Sequence, residues 1–373
     1  MKVGIVNRDF SLGGAQRVAI EVAKGLSSND EYDVDVIAFV GERQFFYNDI
    51  GACNRIENTS KKRIIEKIRH RLSAYHYKFL KKQYKISRMF QNQINGLASI
   101  FKKEKYDIVI LCQGDLTALI PTLKNQFPSI KFIAWQHNSY DIYMERYHVA
   151  YLEEYLMGLR QADEVICLTK QDQQLFRKHN EKAKVIHNPL TISTHEISDL
   201  KNNTIVFVSR IDIEQKGLDY LVELVKRSPD DWNYVIAGDG LNIVEFKKLI
   251  MENNINNKIT LKGALHGEDL VNHYLNGSIF ISTSRWEGFG LVITEAMSCG
   301  LPVISFDNSG PREIMNDGEY GILINKYDID HFYSELEKLM KDENLRKIYQ
   351  QKSIQRASDF SLEIIIKKWM ELM

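Results

Sequence analysis

The chain has 373 residues, with 49 Lys and Arg against 49 Asp and Glu, 44% hydrophobic and 26% charged residues. This is the composition of a soluble globular protein long enough for two domains, with no global field to draw in nucleic acid or membrane. Cys53, Cys112, Cys167 and Cys299 lie far apart without a Cys-x-x-Cys pair, which argues against a disulfide framework or zinc site and for a reducing compartment.

Met1-Lys2 leads straight into Val3-Gly4-Ile5-Val6, a buried first strand. No signal-peptide pattern and no apolar run of about 18 residues is visible, so a cytoplasmic protein that does not span a membrane is expected. Residues 8–15 carry Gly13-Gly14, read as a tight glycine turn, and residues 18–26 read as a helix. The turn lacks G-x-G-x-x-G, which removes the main support for a hydride-transfer enzyme. Residues 34–40 are a second strand. Asp33-Val34-Asp35 imitates a metal-binding Asp-x-Asp, but it lies where that strand begins, whereas ligands gather at carboxyl ends. Asp328-Ile329-Asp330 is the start of a helix. Residues 61–88 are strongly basic, with Glu66 the only acid, and Ile64, Ile68, Leu72, Tyr75 and Phe79 recur at helical spacing. Such a helix suits an anionic membrane surface or, equally, a solvated face over an ordinary core stripe. No recognisable nucleic-acid module is present.

Residues 106–112 and 132–135 are further buried strands, and the second ends in Gln136-His137-Asn138. A histidine at a strand's carboxyl end, before a loop, is placed for chemistry. Residues 164–169 are a strand and 170–179 a helix; residues 185–190 read as the last strand of a first domain, and 191–203 as a polar linker. A second domain opens with the strand 204–209. Arg210-Ile211-Asp212-Ile213-Glu214-Gln215-Lys216-Gly217 follows, then a helix over 218–226. Arg210 and Lys216 thus flank a loop at the carboxyl end of a strand. Residues 234–240 and 259–265 are strands, the latter ending at Leu265. Residues 308–314 open a helix, 318–324 close with a strand, and 361–373 form an amphipathic helix with Ile364, Ile365, Trp369 and Leu372.

The most informative stretch is 279–304. It holds a short apolar strand, a polar turn, the loop Glu287-Gly288-Phe289-Gly290, a helix from Leu291 to Cys299, and a second strand after Gly300-Leu301-Pro302. Gly288 and Gly290 let backbone approach a ligand, and the helix start directs N–H groups and positive dipole at the same place. Glu287 and Glu295 bracket this loop with Glu-x7-Glu spacing.

Glu287-Gly288-Phe289-Gly290-Leu291, Glu295-Ala296 and Gly300-Leu301-Pro302-Val303 resemble the donor-site signature of family 4 retaining glycosyltransferases, which have the GT-B fold. The resemblance covers nearly the whole chain, is strongest over 204–324 and weakest over 45–100. It implies two Rossmann-like α/β domains facing across a cleft: residues 1–190 as acceptor domain, joined by the C-terminal helix 358–373 crossing back, and 204–357 as donor domain. It implies that Arg210 and Lys216 hold the donor diphosphate, Glu295 the ribose, Glu287 the donor sugar, and Gly288, Phe289, Gly290 and Leu291 the loop around them. His137 would contact the sugar from the first domain, the Gly14 loop would face the phosphates, and the backbone near Leu265 would meet the base. No metal and no cofactor are expected. A cation about 4 Å from the leaving group is worth roughly 4 kcal/mol at an effective dielectric of 20, and two can do what a metal does elsewhere.

The expected reaction is transfer of a sugar from a nucleotide-sugar, a UDP-sugar for preference, to a hydroxyl of a lipid-linked saccharide or envelope polymer at the inner membrane face, with retention. A covalent route through Glu287 is open, since retention can use a carboxylate nucleophile. The rivals are a nucleotide-sugar epimerase, a phosphorylase, or a non-catalytic glycosyltransferase-like subunit, against which intact Arg210, Lys216, Glu287 and Glu295 argue. Nothing in the sequence specifies an oligomeric state.

Overall fold

The computed structural model describes residues 1–11, 13–40, 45–46, 49–60, 77, 79 and 83–373. The chain divides into one unit of Met1–Pro189 with Leu362–Met373, and a second of Leu190–Ser361.

The first unit is built on a parallel sheet. Its strands are β1 (Lys2–Asn7), β2 (Asp33–Ala38), β3 (Asn54–Glu57), β4 (Ile108–Cys112), β5 (Lys131–Trp135), β6 (Glu164–Cys167) and β7 (Ala183–Val185), in the order β3-β2-β1-β4-β5-β6-β7. β1, β4 and β5 are buried almost end to end, because helices cover both faces. The second unit repeats the plan with β8 (Thr204–Val208), β9 (Asn233–Ala237), β10 (Ile259–Gly263), β11 (Ile279–Ser282), β12 (Val303–Phe306) and β13 (Ile322–Ile324), ordered β10-β9-β8-β11-β12-β13. Both sheets are doubly wound, and the winding reverses between β1 and β4 in one and between β8 and β11 in the other. Carboxyl ends of strands at such a reversal are where ligand sites form in α/β sheets.

The C-terminal helix, Leu362–Met370, belongs to the first unit, where it packs on the Gly14–Ser27 helix. Gly25 permits the approach, since a Cβ there would lie 2.4 Å from Ile366 Cγ1. Trp369 is buried edge-on to Trp135 with ring centroids 4.7 Å apart. The buried face comprises Ile365, Ile366, Trp369 and Leu372, while Ile364 is exposed. The 3.6-residue period places Ile366, not Ile364, above Trp369.

Three further expectations change. Gly13 and Gly14 make no tight turn: Gly13 is extended at φ 173°, and Gly14 is already the first, exposed residue of its helix. The last strand of the first sheet is Ala183–Val185, and His187 to Pro189 lie beyond it. Residues 191–203 are no loose linker, because Ser198 is buried and donates from its backbone to Cys299 O at 2.9 Å. Asp35 serves structure, accepting from the Tyr106 hydroxyl at 2.5 Å and Asn54 Nδ2 at 2.9 Å, and Asp328 caps the Ile329–Lys341 helix. Most of the basic stretch 61–88 lies outside the described residues. Among the described residues no helix is long and apolar enough to cross a membrane, and all four cysteines are free and buried.

Trp369→Ala should cost the first unit about 3–5 kcal/mol, the usual toll of truncating a buried tryptophan. Urea unfolding followed by near-UV circular dichroism checks this; an unchanged midpoint would show that the helix does not stabilise the unit.

Candidate active site

The site of the second unit forms at its winding reversal. After β8 the chain turns through Arg210, then makes a single helical turn, Ile213–Lys216, absent from the sequence reading. Asp212 caps that turn by accepting from Gln215 N at 2.9 Å, and Gly217 ends it in the left-handed region at φ 60°. Lys216 is therefore fixed at the end of a turn rather than hung on a loop. Gly217 also lies against β11: a Cβ there would meet Thr283 O at 2.1 Å, and Thr283 Oγ1 donates to Lys216 O at 2.8 Å.

Across the reversal, after β11, Glu287 meets Lys216. Its Oε2 lies 2.5 Å from Lys216 Nζ, and the two side chains are 12% and 17% exposed, the lysine first. Ser284 Oγ donates to the same oxygen at 3.3 Å. A pair this sheltered is held in place but not sealed from an incoming anion. Arg210 is exposed, with Nη2 donating to Gln215 Oε1 at 2.6 Å. Gln215 O in turn accepts from Arg285 N at 2.9 Å, so one residue ties Arg210 to the β11 loop.

Three residues outside the predicted site set hold this loop. Arg285 donates to both Asp219 oxygens, at 2.9 and 2.5 Å, and covers the Tyr220 ring at 4.4 Å. Asn308, buried at the end of β12, donates to Ser284 O at 2.7 Å. Gly310 allows the following helix to meet the loop, since a Cβ there would fall 2.2 Å from Phe289 O.

The Glu-x7-Glu stretch divides into an open part and a buried part. Gly290 stands at φ 104°, a backbone conformation that favours glycine, and precedes the Leu291–Ser298 helix as its N-cap. Gly288 is buried in the same loop. Phe289 is buried, its ring edge-on to Phe360 at 5.7 Å, so its side chain anchors the loop. Glu295 is 2% exposed, accepting from Thr191 Oγ1 at 2.6 Å and Tyr274 OH at 2.8 Å. Leu265 follows β10 at the sheet's far edge, half-buried.

Residues 12–193 match the family Glycosyltransferase Family 4, and residues 191–356 match Glycosyl transferases group 1. The chain belongs to the family 4 glycosyltransferases of GT-B fold. The transferase is similar to an uncharacterized glycosyltransferase of Haemophilus influenzae, 28% identical over 367 residues and 96% of each chain. It is also similar to the amylovoran biosynthesis glycosyltransferase AmsD of Erwinia amylovora, 26% identical over 71% of this chain and 77% of that one. Its fold matches the Anabaena protein HepE, solved in complex with UDP, at a TM-score of 0.75 and 18% identity, over 100% of this chain and 99% of that one.

In the first unit, His137 follows β5 as expected. Both ring nitrogens are shut off from solvent with no hydrogen-bond partner, and the ring packs on Trp135 at 4.4 Å. Burial pushes its pKa down to about 3, so the ring is neutral at physiological pH. Nearby His148, stacked on Tyr143 at 4.6 Å with Nδ1 on Tyr151 OH at 2.6 Å, is likewise held down to about 3 by burial.

These two rings make the glycosyltransferase acid-sensitive. From the ordinary histidine value near 6.5 down to about 3, the unfolded chain binds protons that the folded chain refuses. Stability therefore falls as pH drops through that window, by up to about 1.4 kcal/mol per pH unit for each ring. Urea midpoints between pH 7 and pH 4 should show the decline, and His148→Phe should flatten it; a slope unaltered by that substitution would show that His148 is not a source.

Proposed function

We propose that the protein is a retaining glycosyltransferase that moves a sugar from a UDP-sugar to a hydroxyl of a lipid-linked saccharide or envelope polysaccharide. The observation that carries this reading is the Lys216–Glu287 pair at the winding reversal, with the exposed Arg210 guanidinium beside the same loop. Arg210 and Lys216 bring two cations to the Glu287 carboxylate, on a segment that also carries Asp212 and Glu214. Two cations at one loop suit a nucleoside diphosphate, whose negative charge grows as the glycosidic bond breaks.

In this reading Lys216 exchanges part of its contact with Glu287 for a phosphate oxygen. Glu287, released from full pairing, accepts hydroxyls of the donor sugar. The Gly290-Leu291 helix start adds its dipole, and the two cations neutralise the leaving group without a metal. Glu295 takes the ribose hydroxyls, trading a hydroxyl partner that it holds in this structure. The UDP preference is supported by the fold match to HepE, and the envelope acceptor by the likeness to AmsD. The basic stretch 61–88 would bring the enzyme to an anionic inner membrane face, where a lipid-linked acceptor resides.

A thermal-shift series with UDP, GDP, ADP and TDP, with and without chelator, tests the donor site. UDP at 100 times its dissociation constant should add about 2.7 kcal/mol of stability, insensitive to chelator. Lys216→Gln should remove most of the shift and lower transfer about 100-fold or more. Full turnover in Lys216→Gln and Glu287→Gln would overturn the site, and conversion of a UDP-sugar to its epimer without acceptor would replace transfer by epimerisation.

A further inference from the structure

The turn that carries Lys216 cannot stand by itself. Ile213–Lys216 is 4 residues long, and one helical turn in water does not offset the order that it demands. The last four carbonyls of any helix lack donors within it, and here they are all the carbonyls there are. Gly217 N reaches Ile213 O and closes the turn, but its place in the site must be set from outside.

The loop after β11 sets it, through two residues. Arg285 Nη1 donates to Ile213 O at 3.3 Å and to Glu214 O at 3.0 Å. Arg285 N donates to Gln215 O at 2.9 Å, and Thr283 Oγ1 to Lys216 O at 2.8 Å. Every carbonyl of the turn is thus met from across the winding reversal. The guanidinium is itself fixed by Asp219, in the first turn of the Leu218–Arg227 helix, whose two oxygens accept at 2.9 and 2.5 Å. The Tyr220 ring, 4.4 Å away, backs it.

Arg285 precedes Glu287 by two residues. Its backbone therefore lies on the loop that bears the carboxylate, while its side chain grips the turn that bears the lysine. One residue sets both sides of the Lys216–Glu287 pair. The task needs a guanidinium. A planar fork of donors reaches a carboxylate and two carbonyls together, whereas a lysine ammonium is a point charge on a flexible stem.

We propose that Arg285 is a positioning residue for glycosyl transfer, which acts by holding Lys216 where the donor diphosphate arrives. The diphosphate rests on the reading of Lys216 given above; the grip on the turn does not.

Two measurements on the full chain test this. The first needs no nucleotide. Reductive methylation with formaldehyde and dimethylamine–borane, followed by mass spectrometry, reads how firmly each lysine is held. Lys216, 12% exposed, is compared with Lys258, 11% exposed and held in the same unit by Ser228 O and Asp230. Arg285→Lys keeps the charge and loses the fork. In it Lys216 should react about tenfold faster or more, the worth of a hydrogen bond to a charged group, with Lys258 at its old rate. Asp219→Asn, at a half-exposed residue, should move Lys216 the same way and keeps the test open should Arg285→Lys misfold, as near-UV circular dichroism would reveal. The second measurement is a double-mutant cycle on UDP affinity by titration calorimetry. Arg285→Lys should weaken UDP binding about tenfold in the otherwise wild-type chain and have no further effect in Lys216→Gln, because a residue that acts through Lys216 then has nothing to place. Unchanged Lys216 reactivity, a rise shared by Lys258, unchanged UDP affinity in Arg285→Lys, or an equal loss in both backgrounds overturns the proposal. A wild type that binds no nucleoside diphosphate overturns the donor reading instead. The methylation ratio then still decides whether Arg285 places Lys216, so the two readings fail separately.

Discussion

Where a doubly wound parallel sheet reverses its winding, two neighbouring strands send their chains to opposite faces of the sheet. The loops beyond their carboxyl ends part, and the edge between them is left uncovered. The Lys216–Glu287 pair hangs on that constraint, which is met once in each unit. In each, a cation from the strand opening the domain reaches a carboxylate from the strand after the reversal: Lys216 to Glu287, and Arg8 to Asp115. In the second unit the two loops are joined as well by a backbone bond, from Arg285 N to Gln215 O at 2.9 Å. The ion pair is the first thing that a ligand must compete with.

The two partings are not equivalent, and the difference is electrostatic. The second unit adds Arg210; the first adds Asp9 and the buried Asn7 amide. One topology thus carries two different sets of charged residues, placed by a few positions just past β1, β4, β8 and β11. Support for the loop after β11 is rigid. Gly217 and Gly310 bring backbone into van der Waals range of the β11 loop, and Arg285 and Asn308 hold it by hydrogen bonds. A loop so braced positions Glu287 without needing a ligand to order it.

Much of this was legible beforehand because it is local. The apolar runs of β1, β4, β5, β8 and β11 are continuous, as strands buried on both faces must be. Arg210, Lys216, Glu287 and His137 stood out by lying just past strand ends. Other features misled for equally physical reasons. Gly13-Gly14 has the look of a turn, but an extended N-cap followed by a helical residue needs no left-handed glycine. Ile364 is as apolar as Ile366, and only the helix phase distinguishes the exposed one from the buried one.

Taken by itself, the amino-acid sequence determined the class of fold, the strand ends at which charge would collect, and the spacing that puts Glu287 and Glu295 on one loop and helix, since all of these follow from period, propensity and distance along the chain. Only the tertiary structure decided which charges meet. Lys216 and Glu287 are 71 residues apart, and Arg8 and Asp115 are 107 apart. It also decided that Glu295 is buried on Thr191 and Tyr274, that Asn7 is left with a donor unanswered, and that His137 is held neutral. Burial and pairing are properties of strand order, and strand order is set by how the whole sheet packs rather than by any stretch of sequence within it.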